Sequence, residues 1–161
     1  MTEHFQITLN GKLVETDIDS RALLIEVVRD CGAKGAHIGC LTGDCGACSL
    51  EVDGRLAKSC LVLAVSAAGR EVVTIEGSRD AIARELQSAF VACNGFQCGY
   101  CTSGMIMVAI ALLRANPSPT EAEIRNAISG NLCRCTGYED IVRAIASAAD
   151  ALRGRTFERN T

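Results

Sequence analysis

The sequence predicts an α+β chain in two parts, a small mixed-sheet domain over residues 1–77 and an all-helical domain over residues 78–161. Three observations carry this. Alternating apolar residues flank Asn10-Gly11 near the start, the signature of a tight β-hairpin. From Asp80 the hydrophobic period changes from two to three and four, and no strand pattern recurs. Gly77-Ser78 marks the junction, and no sequence repeat links the halves.

The elements follow in order. His4 to Leu9 places Phe5, Ile7 and Leu9 on one side, Asn10-Gly11 supplies the positive-φ positions of a type I′ turn, and Lys12 to Asp17 returns. Ser20 is expected to cap a helix through LLIEVVRD, in which Leu24, Val27 and Val28 share a face, ending near Gly32. Ser49 to Val52, an Asp53-Gly54 turn, a return through Leu56 and Glu71 to Ile75 read as strands, with CLVLAVSAAG between them as a helical or irregular crossing. Helices are predicted over Asp80 to Ala92 and Ser103 to Ala115, the latter stopped by NPSPT. Thr120-Glu121-Ala122-Glu123 is a capping box for a third helix ending at Gly130, and a fourth spans Glu139 to Leu152.

Composition narrows the function classes. With 161 residues, 48% of them hydrophobic, the chain can form a core. A net charge of -3 with interspersed signs offers no basic stripe for nucleic acid, and 4% aromatics without Trp offer no stacking platform. The longest apolar run, Met105 to Leu113, covers nine residues, against the roughly 18 to 20 that cross a bilayer. MTEHFQITLNGK lacks a cationic start and an apolar signal core, which places the chain in the cytoplasm. In that reducing compartment ten cysteines point to metal rather than disulfides.

Eight of the ten form two quartets. Cys40, Cys45, Cys48 and Cys60 read C-x4-C-x2-C-x11-C, and the first three spacings are those of a plant-type 2Fe-2S loop. Gly39, Gly43 and Gly46 let backbone wrap tightly around a cofactor and aim N–H groups at sulfur. Zinc also accepts CxxC plus two thiols, but zinc knuckles usually pair two CxxC units. The second quartet is Cys98-x2-Cys101 and, after 31 residues, Cys133-x1-Cys135. The first pair precedes the second helix and the second pair lies between the third and fourth, so a bundle with both connections at one end unites them. Cys133 and Cys135 cannot both point inward from a helix, so a loop is required there. Cys31 and Cys93 read as small buried hydrophobes and Met105 and Met107 as bundle core. His4 and His37 show no evident partner.

These motifs carry a resemblance. GCLTGDCGAC followed by Cys60, then QCGYCTSGM, then GNLCRCTGY, resembles the small iron–sulfur subunit of the molybdenum hydroxylases, the xanthine dehydrogenase and aldehyde oxidase group, over nearly the whole chain. GAHIGC and SPTEAEIR look closest to the small subunits of aerobic carbon monoxide dehydrogenases. The resemblance implies a β-grasp, ferredoxin-like N-terminal domain and a four-helix bundle, each binding one 2Fe-2S cluster. It also implies partners: a large molybdopterin subunit, with the cofactor as the cytosine dinucleotide, and a medium FAD subunit, assembled as a dimer of heterotrimers. Electrons would pass from molybdopterin through both clusters to FAD. Gln97 matches the family's pterin-binding glutamine and Cys135 the thiolate that also approaches the pterin. The chain departs from the family at Ser103, where Pro is common, at Asn94-Gly95 in place of His-Gly, and at Ala36-His37 in place of Thr-Lys.

The chain itself shows no paired acid and base, nucleophile triad or phosphate-cradling loop, so its expected role in the oxidoreductase is conduction. The alternatives are a free-standing ferredoxin-type carrier and a zinc-stabilised interaction protein. The substrate, whether carbon monoxide, an aldehyde, a purine or an N-heterocycle, is not legible here.

Overall fold

The computed structural model describes residues 2–158, with side chains through residue 154. Strands β1 (Thr2–Leu9) and β2 (Lys12–Asp19) form the expected hairpin, with Asn10 and Gly11 at φ 52° and 78°. Both strands run about two residues beyond the expected limits because the antiparallel register continues to Thr2 and Asp19. Helix α1 (Leu24–Asp30) follows, then β3 (Ser49–Val52), β4 (Arg55–Lys58) and β5 (Glu71–Val73). Two short 3-10 turns, Ser59–Leu61 and Ala64–Ala67, occupy the crossing. The sheet order is β2-β1-β5-β3-β4, with β5 parallel to β1 and antiparallel to β3. Phe5, Ile7, Leu9, Leu24, Val28, Leu50 and Val72 close one core between this sheet and α1.

Ser20 does not cap α1. It lies in a turn, and the N-cap position is Leu23, which contributes no side-chain cap. The helix start is satisfied from elsewhere: Glu26 accepts from Leu23 N–H at 2.8 Å, and Leu24 N–H donates to the Val62 carbonyl at 2.8 Å. A tertiary partner replaces the local cap. Strand β5 likewise stops at Val73 rather than Ile75, because Ile75 packs against the second core.

That core belongs to four helices, α2 (Ala81–Ala92), α3 (Thr102–Ala115), α4 (Glu121–Ile128) and α5 (Glu139–Glu158). Asp80 caps α2 by accepting from Ala83 N–H at 2.8 Å. Thr120 and Glu123 form the anticipated reciprocal box at the start of α4. Helix α4 ends with Ser129 at its C-cap, one residue before Gly130, and α5 continues past Leu152 to Glu158. Phe90, Met105, Met107, Ile110, Ile124, Ile141 and Ile145 are fully or almost fully buried, so both methionines are core.

The two cores are bound by polar contacts between β3 and α3. Arg114 on α3 donates to Glu51 of β3 at 2.6 Å and to Asp80 at 2.7 Å, and Glu51 is only 4% exposed. Removing one member of a buried pair leaves the other charged in low dielectric, which costs about 3–5 kcal/mol. Arg114 keeps 39% of its side chain exposed, which places the loss at the lower end. Arg114→Ala should therefore destabilise the chain by about 3 kcal/mol, read as a fall in the urea midpoint. An Arg114→Ala midpoint equal to wild type would refute this account of the junction.

Candidate metal centres

The first quartet sits on the loop between α1 and β3, with Cys60 brought in from the 3-10 turn after β4. The loop folds onto its own sulfur. Cys40 Sγ accepts from Thr42 N–H at 3.4 Å and from Cys45 N–H at 3.5 Å. Gly39 owes its identity to space rather than dihedral: a Cβ built there would lie 2.7 Å from Cys45 Sγ. Lys58 Nζ donates to the Gly43 carbonyl at 2.5 Å and ties β4 to the loop.

The second quartet lies where the α2–α3 and α4–α5 connections meet at one end of the helices. Cys101 is the N-cap residue of α3, and Cys133 and Cys135 lie in the non-helical stretch before α5. Cys98 and Cys135 approach to 3.6 Å and are exposed, while Cys101 is buried beside Cys133. Tyr138 accepts from Cys133 N–H at 2.9 Å, and Thr136 Oγ1 lies 3.1 Å from Cys133 Sγ. Gln97 is exposed and donates its side-chain amide to the Cys135 carbonyl at 3.1 Å. The residues expected at a pterin are thus together on one open edge.

The two loops touch. Leu132 N–H donates to the Cys45 carbonyl at 2.9 Å, so one hydrogen bond joins a residue of the first quartet to the neighbour of Cys133 in the second. Asn131, 3% exposed, donates its amide to the Gly46 carbonyl at 3.1 Å. Gly104 of α3 packs against Gly46 O and Ala47, and Gly46, at φ +68°, packs against Asn131 and Gly130 O. On another side His37 stacks on Tyr100 with ring centroids 4.7 Å apart, and Tyr100 OH donates to Ile38 O at 2.7 Å. His37 Nδ1 lies 2.8 Å from Tyr100 O; a carbonyl only accepts, so Nδ1 carries the proton. None of Asn131, Gly104 or the His37–Tyr100 stack was singled out by spacing, since each acts across a long sequence separation. His4 lies 3.6 Å from Asp17 on the exposed face of the hairpin, and Cys31 and Cys93 are only partly buried at the edges of the two cores.

Each quartet offers four thiols, the donor set that a 2Fe-2S cluster takes, and in each the thiols stand in adjacent pairs. Cys45 lies beside Cys40, Cys60 beside Cys48, Cys98 beside Cys135 and Cys101 beside Cys133.

Residues 74–146 match the 2Fe-2S binding domain family. The chain is 44% identical over 155 residues to the caffeine dehydrogenase subunit gamma of Pseudomonas sp. strain CBB1, covering 92% of this chain and 93% of that one. The chain belongs to the small iron–sulfur subunits of the molybdenum hydroxylases. Among solved structures, quinoline 2-oxidoreductase from Pseudomonas putida 86 superposes at a TM-score of 0.87 with 41% identity, over 95% of this chain and 97% of its counterpart. The aldehyde oxidoreductase of Desulfovibrio gigas matches 95% of this chain at a TM-score of 0.85 and 36% identity, using 17% of its own much longer chain. This small subunit is therefore part of an oxidoreductase, and no helix among the described residues is long and apolar enough to cross a membrane.

The thiols differ in readiness to ionise. Cys40 is lowered to about 6 by the Thr42 side chain and the N–H groups of Cys45 and Thr42. Burial pushes Cys60 up to about 11 and Cys101 up to about 12. At pH 7 the metal-free Cys40 is about ten-to-one thiolate, while the other two are protonated. Iodoacetamide at pH 7 should therefore label Cys40 well before Cys60 and Cys101 in the metal-free chain, and the Cys40 rate should fall below pH 6. Peptide mass spectrometry reads the order, and equal labelling of the three would contradict this loop geometry.

Space makes a second prediction. Gly→Ala inside a helix normally stabilises by about 1 kcal/mol. At Gly104 the added Cβ collides with the backbone of Gly46 and Ala47, and overpacking costs about 1–3 kcal/mol. Gly104→Ala should therefore lower the urea midpoint, and a raised midpoint would show that the contact is soft.

Proposed function

We propose that this subunit holds one 2Fe-2S cluster on Cys40, Cys45, Cys48 and Cys60, in a β-grasp ferredoxin-like domain of residues 1–77. A second cluster sits on Cys98, Cys101, Cys133 and Cys135, in a four-helix domain of residues 78–161. Such clusters supply one-electron steps, and the protein's part is to hold them close in a dry, fixed frame. Electrons from a molybdopterin centre on a large partner subunit enter at the helical-domain cluster and leave from the other to FAD on a medium subunit. The holoenzyme is a cytoplasmic dimer of such heterotrimers, and the oxidised substrate never touches this chain.

The observation that carries this reading is the hydrogen bond from Leu132 N–H to the Cys45 carbonyl, which together with Asn131 to Gly46 O joins the two paired-thiol loops. It gives two stations a short route through backbone. The direction is supported by exposure: Cys98, Cys135 and Gln97 lie on an open edge beside Phe96 and Leu132, whose side chains are also exposed. Gln97 uses one amide proton on Cys135, leaving its carbonyl and second N–H to meet a pterin edge, while Cys135 brings a cluster ligand to the same surface. A free-standing carrier gains nothing from exposing such a combination, whereas a partner-covered subunit does.

The test separates two clusters from one, and iron from zinc. The intact chain should contain four irons and four acid-labile sulfides, two of each per cluster. Cys60→Ser and Cys101→Ser should each lose about half of both, from different centres, as shown by two distinct reduced-state EPR signals. Zinc without sulfide, or one substitution abolishing both signals while the fold persists, would defeat the reading.

A further inference from the structure

Three contacts close a ring beside the second cysteine quartet. Cys133 N–H donates to the Tyr138 hydroxyl oxygen at 2.9 Å, Tyr138 N–H donates to Thr136 Oγ1 at 3.1 Å, and Thr136 Oγ1 lies 3.1 Å from Cys133 Sγ. The last contact acquires a direction once the cysteine binds metal, because a coordinating thiol is deprotonated and can only accept. Thr136 Oγ1 then takes the Tyr138 N–H on a lone pair and gives its own hydrogen to sulfur. An unfavourable backbone supports this arrangement. Tyr138 lies at φ +71°, a left-handed conformation that bulky residues rarely adopt, and it directly precedes α5. Its side chain packs against the helical core and its carbonyl accepts from Val142 N–H at 2.9 Å. Strain of this kind persists only where the surroundings impose it, and it collects at functional sites. Here it aims one N–H at Thr136 and leaves the threonine hydrogen for sulfur.

We propose that the Thr136 hydroxyl donates its hydrogen to the Cys133 sulfur of the helical-domain 2Fe-2S cluster and thereby raises the reduction potential of that cluster. This deepens the two-cluster reading above and rests on it. A cluster on four thiolates is net negative and gains one further negative charge on reduction, so a donor to ligand sulfur stabilises the reduced form more than the oxidised. Thr136 and Cys133 are both partly buried, where water competes less and the bond acts more strongly. Threonine suits the task because its branched Cβ restricts χ1 and keeps the hydroxyl on its target. Thr136 binds no iron and touches no substrate; it acts through Cys133 and sets how readily the helical centre accepts an electron.

The experiment uses the full-length chain loaded with iron and sulfide, titrated with reductant and followed by EPR so that the two clusters are read separately. Thr136→Val, which keeps the branched shape and removes the hydroxyl, is compared with wild type, Thr136→Ala and Thr136→Ser. At the wild-type midpoint, the reduced-to-oxidised ratio of the helical-domain cluster should fall about fivefold in Thr136→Val and Thr136→Ala. That is part of the worth of a hydrogen bond to a charged group, because the bond exists in both redox states. The ratio should stay within about twofold in Thr136→Ser, which keeps the donor, and the other cluster should not move. Pulsed EPR after brief exchange into heavy water, when hydroxyls have exchanged and buried amides have not, should show one deuteron coupled to the reduced cluster more strongly than bulk water. Thr136→Val should lack it. An unchanged potential in a Thr136→Val chain that holds both clusters overturns the inference alone, as does an equal shift of both clusters or an equal fall in Thr136→Ser. Should Thr136→Val and Thr136→Ala fail to hold the cluster, the wild-type deuteron decides: its presence supports the inference and its absence overturns it. A wild-type chain with no helical-domain cluster overturns the inference together with the reading beneath it.

Discussion

The constraint that ties the two cysteine sites together is close packing at residues 45–47, where the first cysteine loop meets α3 and the Gly130–Leu132 segment. Gly46 and Gly104 have no room for a Cβ, and this absence lets Leu132 N–H reach the Cys45 carbonyl and Asn131 reach Gly46 O. Packing of this density transmits small displacements rather than absorbing them. The two thiol quartets are therefore held against each other by main-chain packing together with the buried Asn131 amide. Arg114, spanning Glu51 and Asp80, braces the same junction farther along α3.

What could be read from sequence was what is written locally. The Asn10-Gly11 turn, the Thr120 capping box and the need for a loop around Cys133 and Cys135 each depend on residues within four of one another, and each is present. Cysteine spacing pointed to two quartets, and the thiols of each lie in adjacent pairs. Ser20 misled because a serine before an apolar run is a good local cap, yet the Val62 carbonyl and the Glu26 side chain satisfy the α1 start instead. Asn131, the His37–Tyr100 stack and the Arg114–Glu51 pair join residues more than sixty positions apart. No window of periodicity contains both partners.

The two quartets divide their labour by exposure. Cys48 and Cys60 lie inside the first core, and Cys101 is buried at the second, whereas Cys98 and Cys135 face outward. Each centre thus has one edge held in low dielectric, where hydrogen bonds to sulfur act strongly. The helical centre also has one edge available to a neighbour. A conducting subunit needs this combination: insulation where charge is to be held, and contact where it is to be passed. The caffeine and quinoline relatives carry this fold as a chain of similar length, and the aldehyde oxidoreductase carries it as 17% of a longer one.

Strand β5 has a consequence for biosynthesis. It is three residues long, yet it alone joins the β1–β2 hairpin to the β3–β4 hairpin. Both hairpins are local and close early, but the sheet remains in two pieces until residues 71–73 slot between them. On a ribosome delivering the chain from its N-terminus, all four cysteines of the first quartet, Cys60 included, emerge before the strand that locks the sheet around them. There is therefore an interval in which these thiols are present but the sheet that frames them is still open.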